Sequence, residues 1–279
     1  MTALERLFFW TAVLLYALSL ALYVVNFVFK AEKRSQTALG TLLAGFAAET
    51  GAIAVRWYES GHAPVVGNYE NGLAGSWLIT LFTLYLVHRK KDFRYAALGS
   101  IALSLLILGI GMMSSPTMRP LNVALLSFWL YVHIFFAWLA YASYTIAFSI
   151  GILYVLKEKK QAAGSPPGGI FEKLPSLDVL DDMMFRYVVF GFITDAVMIA
   201  TGAIWAKDLW GSYWSWDPVE TWSLVSWLLY GLVIHLRVSL GWRGRKLAWL
   251  TIAAIIGVLV SFWGVNFIVE QSTHIFNVR

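Results

Sequence analysis

The chain has 279 residues, of which 59% are hydrophobic and only 13% are charged, and its formal net charge is +5. Soluble domains are about 45–50% apolar and about 25% charged, so this composition excludes an ordinary soluble protein, a disordered chain and a nucleic-acid-binding protein. It predicts an all-α integral membrane protein. The chain has no cysteine, which excludes disulfides, thiol nucleophiles and haem attached covalently to the chain itself.

Apolar runs of about 20 residues predict about eight transmembrane helices. They lie near residues 7–29, 38–55, 74–88, 95–113, 133–156, 185–206, 221–240 and 248–269. The apolar stretch 121–156 is too long for one span, so residues 121–132 are predicted to form a helix that lies at the membrane interface. We expect these helices to make a single polytopic membrane domain over residues 1–279.

Basic residues are shared unevenly between the two sides of the predicted membrane. The loops on one side carry 16 Lys and Arg residues, and the loops and termini on the other side carry 5. By the positive-inside rule, both termini face the outer side, and the net positive charge reflects topology, not an acidic ligand. The longest inner loop, residues 157–184, is rich in Gly, Ser and Pro in its first half and is predicted to be a cytoplasmic linker.

A tryptophan-rich segment, residues 207–222, forms a predicted outer loop, and six of the 14 Trp residues fall between 205 and 227. One interpretation is an aromatic belt at the membrane interface, with Asp217, Pro218 and Glu220 forming a capping box at the start of the seventh helix. The other is a binding surface. Flat aromatic rings beside Gly211 and a helix N-terminus could hold a large planar anion such as haem.

Four histidines are candidate ligands. His133 lies at the outer start of the fifth span and His274 just beyond the outer end of the eighth, so both flank the tryptophan-rich loop. Imidazole is a common ligand of haem iron, although a solvated interfacial histidine is the simpler interpretation of each. His235 lies in the inner half of the seventh span, where an ionisable side chain is either functional or bonded to a neighbouring helix. His62, in a turn-rich outer loop, is a ligand or a loop donor.

The string WGSYWSWDPVETW, residues 210–222, resembles the "WWD" signature of haem-handling cytochrome c assembly proteins. The outer-loop residues Gly61, His62 and Pro64 and the string from Gly202 to Trp205 are similar to the same group. The length and the eight-span layout also fit. The best match is the CcsA (ResC) family of system II cytochrome c biogenesis.

The resemblance implies a haem-handling and haem-presenting subunit of a cytochrome c synthase, or haem lyase, complex. Haem b, bound non-covalently in transit, would be ligated within the membrane by His235 and by a histidine of a CcsB (ResB)-type partner. It would then be held outside between His133 and His274 and joined to the thiols of a CxxCH apocytochrome c. The residues expected to contact haem beside these ligands are Trp205, Trp210, Gly211, Trp214, Trp216, Asp217, Glu220 and Trp222.

The resemblance leaves open whether the chain is itself an enzyme. It implies a bacterial plasma membrane, or a thylakoid membrane, with the tryptophan-rich loop on the extracytoplasmic side, and partners that include lipid but no nucleic acid. Two alternatives remain. One is a HemX-like regulator of haem synthesis, which would not restore cytochrome c assembly in a host lacking the native gene. The other is a membrane transporter or a b-type electron-transfer subunit, which would favour inverted repeats or paired intramembrane histidines.

Overall fold

The computed structural model of the protein describes residues 1–29, 33–65, 67–118, 126–164 and 170–264. In these residues the regular structure is helical throughout, which confirms the all-α prediction. The helices are α1 (Ala3–Phe29), α2 (Lys33–Ser60), α3 (Gly67–Arg89), α4 (Ala97–Met113), α5 (Phe128–Ala162), α6 (Ile170–Lys173), α7 (Leu177–Trp210), α8 (Pro218–Leu240) and α9 (Arg245–Leu259). A 3₁₀ turn, Lys91–Ala96, precedes α4, and a π-helical turn, Val260–Gly264, follows α9.

Seven helices in the described part of the chain are long and apolar enough to cross a membrane, so the protein is an integral membrane protein. They are α1, α2, α4 with its 3₁₀ turn, α5, α7, α8 and α9. The remaining long helix, α3, has 23 residues and a length of about 34 Å, but it carries too many polar side chains to count as apolar. The eighth span and the outward orientation of both termini therefore stay predictions.

Several helices, among them α2, α3 and α7, extend beyond the apolar runs that predict them, because their polar ends project past the apolar window. Residues 128–132 are the first residues of α5 and not a separate interfacial helix, which corrects the expectation for 121–132; residues 119–125 lie outside the described residues. The predicted linker 157–184 is likewise helical at both flanks, since α5 continues to Ala162 and α7 begins at Leu177. Lys157 at its start donates to the carbonyl oxygens of Leu174 and Pro175, at 2.8 and 2.7 Å.

The chain divides into two compact units. Unit 1 comprises Met1–Leu121 and Leu156–Val179, and unit 2 comprises Asn122–Val155 and Leu180–Arg279. The predicted single membrane domain over residues 1–279 stays a prediction.

In unit 1, α1 packs along α2, and α3 packs along α4. A buried ion-pair cluster closes one end of the unit. The Nε atom of Arg56 donates to Glu70 at 2.8 Å, its Nη1 atom lies 3.6 Å from Glu5, and the same atom donates to the Pro116 carbonyl at 2.8 Å. Tyr69 donates to Glu5 at 3.0 Å. Because each charge is paired and hydrogen-bonded, the cluster ties α1, α2 and α3 to the segment after α4.

In unit 2, a polar core joins α5, α7 and α8. The ring of Tyr144 stacks on that of Tyr230 with centroids 3.5 Å apart, and the Tyr144 hydroxyl donates to Asp195 at 3.0 Å. At one end of the unit, Arg237 of α8 pairs with Asp181 and Asp182 of α7. These ion pairs hold the C-terminal end of α8 against the start of α7. The tryptophan-rich loop lies at the other end of the unit.

Candidate functional site

The tryptophan-rich loop lies at the end of unit 2 where α5 begins, α7 ends and α8 begins. Helix α7 continues to Trp210, so the non-helical connection spans only residues 211–217 of the predicted 207–222. Gly211 ends the helix with a φ of +79°, and its N–H donates to the Lys207 carbonyl at 3.0 Å. This left-handed cap favours glycine, which gives Gly211 a structural role as well as its predicted place in the site.

The capping box predicted at the start of α8 is confirmed. Oδ1 of Asp217 accepts from the Val219 N–H at 2.9 Å, and Oε2 of Glu220 accepts from the Asp217 N–H at 3.2 Å. The first amides of α8 are therefore already paired with carboxylates. The predicted capture of an anion directly on this helix N-terminus is not favoured, because two negative charges occupy it. A further role of Asp217 and Glu220 in contacting haem stays a prediction.

Trp216 has an unusual backbone conformation. Its φ is +61°, and it is the single non-glycine residue with positive φ in the described part of the chain. Glu220 holds it there, because Oε2 accepts from the N–H of Ser215 at 2.8 Å and from that of Asp217 on the other side of Trp216. A non-glycine residue pays about 1–2 kcal/mol for this conformation. The result is that the Trp216 ring stands 69% exposed, and strain of this kind is concentrated at functional sites.

Several aromatic side chains at this end present their surface outward. Trp210, Tyr213, Trp216 and Trp222 are exposed. Trp214 packs edge-on against Trp216 with centroids 5.7 Å apart, and its buried Nε1 atom has no hydrogen-bond partner among the described residues. The sequence reasoning did not include Tyr213, although it lies within the same string.

His133 contacts α7 beside this loop. Its Nδ1 atom lies 2.8 Å from the carbonyl oxygen of Met198. A carbonyl oxygen only accepts, so Nδ1 carries the proton, and in the neutral ring Nε2 then carries the lone pair that binds metals. The indole of Trp205, itself buried, lies nearly parallel to the imidazole with centroids 6.5 Å apart. A histidine that ligates a metal through one ring nitrogen usually donates a hydrogen bond from the other, often to a backbone carbonyl.

A glycine on α7 makes room for this imidazole. A Cβ atom placed on Gly202 would lie 2.7 Å from Nδ1 and 3.0 Å from Cε1 of His133. The Met198 carbonyl also accepts from the Thr201 hydroxyl at 3.1 Å. Sequence reasoning missed Met198 and Thr201 and noted Gly202 only as part of a family string. No sequence signal identifies Met198, because its backbone makes the contact.

One cationic side chain, also missed, lies beside the exposed rings. The Nζ atom of Lys207 donates to the Gly211 carbonyl at 2.7 Å and lies 5.6 Å from the Tyr213 ring centroid. It follows that an ammonium group stands next to the aromatic surface, where a carboxylate of a bound ligand would be attracted to it.

The structure does not bring all predicted ligands together. His235 is exposed on α8, 17 residues after Pro218 and about 26 Å along the helix from the loop, with Nδ1 3.2 Å from the Ser239 hydroxyl. His62 belongs to unit 1, where its Nδ1 atom lies 2.8 Å from the Ala63 carbonyl. His274 lies outside the described residues. Of the three candidate histidines that lie in the described residues, only His133 is placed at the tryptophan-rich end of unit 2.

Comparison with known proteins identifies close relatives. A family model described as "Cytochrome C assembly protein" matches residues 65–272. The cytochrome c biogenesis protein CcsA of Parasynechococcus marenigrum (strain WH8102) is 31% identical over 91% of this chain and 89% of its own length. The CcsA of Synechococcus sp. (strain CC9311) is 32% identical over 91% and 92%, and that of Guillardia theta is 31% identical over 90% and 89%.

A solved structure shares the fold. The cytochrome c haem lyase CcmF superposes with a TM-score of 0.68 over 94% of this chain, at 18% sequence identity. The chain spans 47% of the length of that protein. At this identity the likeness concerns the arrangement of helices alone.

Proposed function

Because this chain belongs to the CcsA family of cytochrome c biogenesis proteins, we propose that it binds haem as its substrate and presents it for attachment to apocytochrome c. The binding surface is the tryptophan-rich end of unit 2. The observation that carries the proposal is the imidazole of His133, whose Nδ1 atom is held by the Met198 carbonyl beside a group of exposed aromatic rings. An imidazole next to flat rings is what a planar iron complex requires.

The residues at this end fit the chemistry of haem b in three respects. Nε2 of His133 is the metal-binding nitrogen of the tautomer that the Met198 carbonyl selects. Trp216 and Trp222 offer exposed indole surface, and the strained backbone of Trp216 keeps its ring outward. Lys207 supplies a cation for a propionate, in place of the α8 N-terminus, which the capping box already fills.

The ligand opposite His133 is proposed to be His274, as the family resemblance implies. His235 is proposed to serve a second haem position within the membrane. Its exposure on α8, among Leu228, Leu232 and Val238, supports a ligand that is completed by a CcsB-type partner chain, because an ionisable side chain on a lipid-facing surface indicates a functional contact. The thioether chemistry then belongs to haem and to the apocytochrome thiols, and the protein supplies ligation and orientation.

We further propose that the tryptophan-rich end faces the extracytoplasmic side. The excess of Lys and Arg in the loops at the opposite ends of the spans supports this orientation. Cytochrome c assembly on that side would place the presented haem where apocytochromes emerge.

The test is to purify the chain with a CcsB-type partner in detergent and record oxidised and reduced haem spectra. Wild-type protein is expected to carry b-type haem, and His133→Ala and His274→Ala are each expected to lower or shift that signal. The matched control is His88→Ala, an exposed histidine in the last turn of α3 in unit 1, which should leave the spectrum unchanged. A haem-free wild-type complex would refute the proposal, and failure to restore cytochrome c assembly in a deficient host would favour a regulator.

A further inference from the structure

Helix α1 turns a polar face into unit 1. Tyr16, Ser19, Tyr23 and Asn26 are each fully buried, while Leu14 and Leu18 are exposed on the opposite face. In a helix that crosses a membrane, apolar side chains are favoured where they contact lipid. Polar side chains are therefore favoured on the face that packs inside the unit. A line of polar side chains therefore runs through the interior of unit 1 along the second half of α1.

A buried carboxyl group stands at the start of this line. Glu49 of α2 is 0% exposed, and the Tyr16 hydroxyl donates to its Oε2 atom at 2.6 Å. The close approach of the two helices depends on Gly45, one turn before Glu49, since a Cβ atom there would lie 2.6 Å from the Tyr16 ring. The other carboxyl oxygen, Oε1, has no hydrogen-bond partner among the described residues, and the same holds for the buried Ser76 hydroxyl of α3.

Further unpartnered polar atoms continue from Glu49 toward one end of unit 1. They are the Tyr23 hydroxyl and both polar atoms of the Asn26 amide. Leaving a buried polar group unsatisfied costs about 1–3 kcal/mol, so atoms of this kind are normally paired with ordered water. Tyr16 and Asn26 are ten residues, or about 15 Å, apart along α1, which is half the thickness of the hydrocarbon core.

An apolar layer separates Glu49 from the opposite end of unit 1. Phe9 and Ala12 of α1 and Leu73 of α3 are fully buried apolar residues on the side of Glu49 that faces the ion-pair cluster of Glu5, Arg56 and Glu70. The groups that face Glu49 from its neighbouring helices are thus hydroxyls, of Tyr16 from α1 and of Ser76 from α3, and the charged cluster lies beyond an apolar layer.

We propose that Glu49 is a proton-binding site within the membrane, reached by water from the end of unit 1 where α1 ends and α4 begins. A carboxyl group among neutral hydroxyls in a low-dielectric interior favours binding a proton over carrying a charge. The unpartnered atoms of Tyr23 and Asn26 line the polar route to it, and the Phe9 layer blocks passage to the opposite end. The site exchanges a proton with one side of the membrane only.

The proposal can be tested by infrared spectroscopy of the purified full-length chain in lipid vesicles. The difference between wild-type protein and Glu49→Gln isolates the carbonyl band of a protonated Glu49, and Asp195→Asn separately identifies any band from the buried carboxyl group that accepts from Tyr144 in unit 2. We expect this Glu49 band at neutral pH and a shift of it on transfer to deuterated water. Tyr16→Phe, which removes the 2.6 Å hydrogen bond while keeping the carboxyl group, should move the band and guards against misfolding of Glu49→Gln.

The route is tested by exchange rate. Asn26→Leu should slow deuterium exchange at Glu49 severalfold, while Val28→Leu, an exposed change near the same end of α1, should not. Absence of the Glu49 band at neutral pH, or equal exchange rates in wild-type protein and Asn26→Leu, would overturn the proposal. Loss of the band on adding sodium chloride but not choline chloride at fixed pH would also overturn it, since the site would then bind sodium.

Discussion

Replacing Gly202 with alanine is the most direct test of how the imidazole of His133 is positioned. The added Cβ atom would lie 2.7 Å from Nδ1 and 3.0 Å from Cε1 of the ring. Non-bonded atoms rest at about 3.5 Å or more, so the ring must move by about 0.8 Å away from α7. That displacement lengthens the 2.8 Å hydrogen bond to the Met198 carbonyl beyond useful range.

The magnitude follows from these two effects. Loss of one hydrogen bond costs about 1 kcal/mol, and overpacking at a close contact costs about 1–3 kcal/mol. If the displaced imidazole is the haem ligand, the two costs together, about 2–4 kcal/mol, correspond to a Kd for haem that rises about 30- to 900-fold. The absorption spectrum should also change, because the ring is no longer fixed in the ligating tautomer.

The assay is a haem titration of the purified complex, followed by absorption in the oxidised and reduced states. Gly109→Ala provides the control, since a Cβ atom on this exposed glycine of α4 meets nothing within 4 Å. Unchanged affinity and spectrum in Gly202→Ala would mean that the contact between His133 and α7 does not position a haem ligand. A change in stability with unchanged haem binding would lead to the same conclusion.

Three further changes have expected outcomes. Trp216→Gly should raise the free energy of unfolding by about 1 kcal/mol by removing backbone strain, yet weaken haem binding; lower stability in chemical denaturation would refute this reasoning. Arg237→Met leaves the buried carboxylate of Asp181 without its cation and should cost about 3–5 kcal/mol in thermal unfolding, whereas exposed Arg243→Met should cost at most about 1 kcal/mol. Lys207→Ala should weaken haem binding and reduce its salt dependence. If Lys207→Ala and the control Lys246→Ala bind haem with equal affinity, Lys207 does not contact a propionate.

Local sequence signals predicted the local parts of this structure well. Apolar runs located the long helices, and the spacing of Asp217, Pro218 and Glu220 correctly predicted the capping box, because both depend on residues close in the chain. The boundaries were less accurate. Helix α5 begins at Phe128, inside an apolar stretch that is too long for one span, so hydropathy alone does not mark its start; it ends at Ala162, beyond charged residues at which a hydropathy pattern stops.

The missed parts of the site depend on contacts between distant residues. His133 meets Met198 and Gly202 only through the register of α5 against α7, and the Met198 contact uses a backbone atom that every residue type possesses. The strain at Trp216 was equally hidden, because it arises from hydrogen bonds that Glu220 makes on both sides of that residue. The residue types in the sequence therefore indicate where such a site lies, but the contacts within the site can be known only from the folded structure.

The polarity of α3 has a consequence for biogenesis. Three polar side chains in its first turn are paired with other parts of unit 1: Glu70 with Arg56 of α2, Tyr69 with Glu5 of α1, and Asn68 with a hydroxyl after α4. A segment that owes its polar partners to its neighbours partitions poorly into lipid by itself, since hydrocarbon offers no hydrogen-bond partner in their place.

Helix α3 packs closely against α4, so we expect the two helices to insert together. A Cβ atom on Gly111 would lie 3.0 Å from the Asn68 carbonyl, so the two backbones pair tightly. We therefore expect α3 to leave the translocon together with α4, as a helical hairpin closed by the 3₁₀ turn Lys91–Ala96, and only after α1 and α2 are in place. Membrane insertion of this protein is then a cooperative event between successive spans, and a chain truncated before α4 should fail to retain α3 in the bilayer.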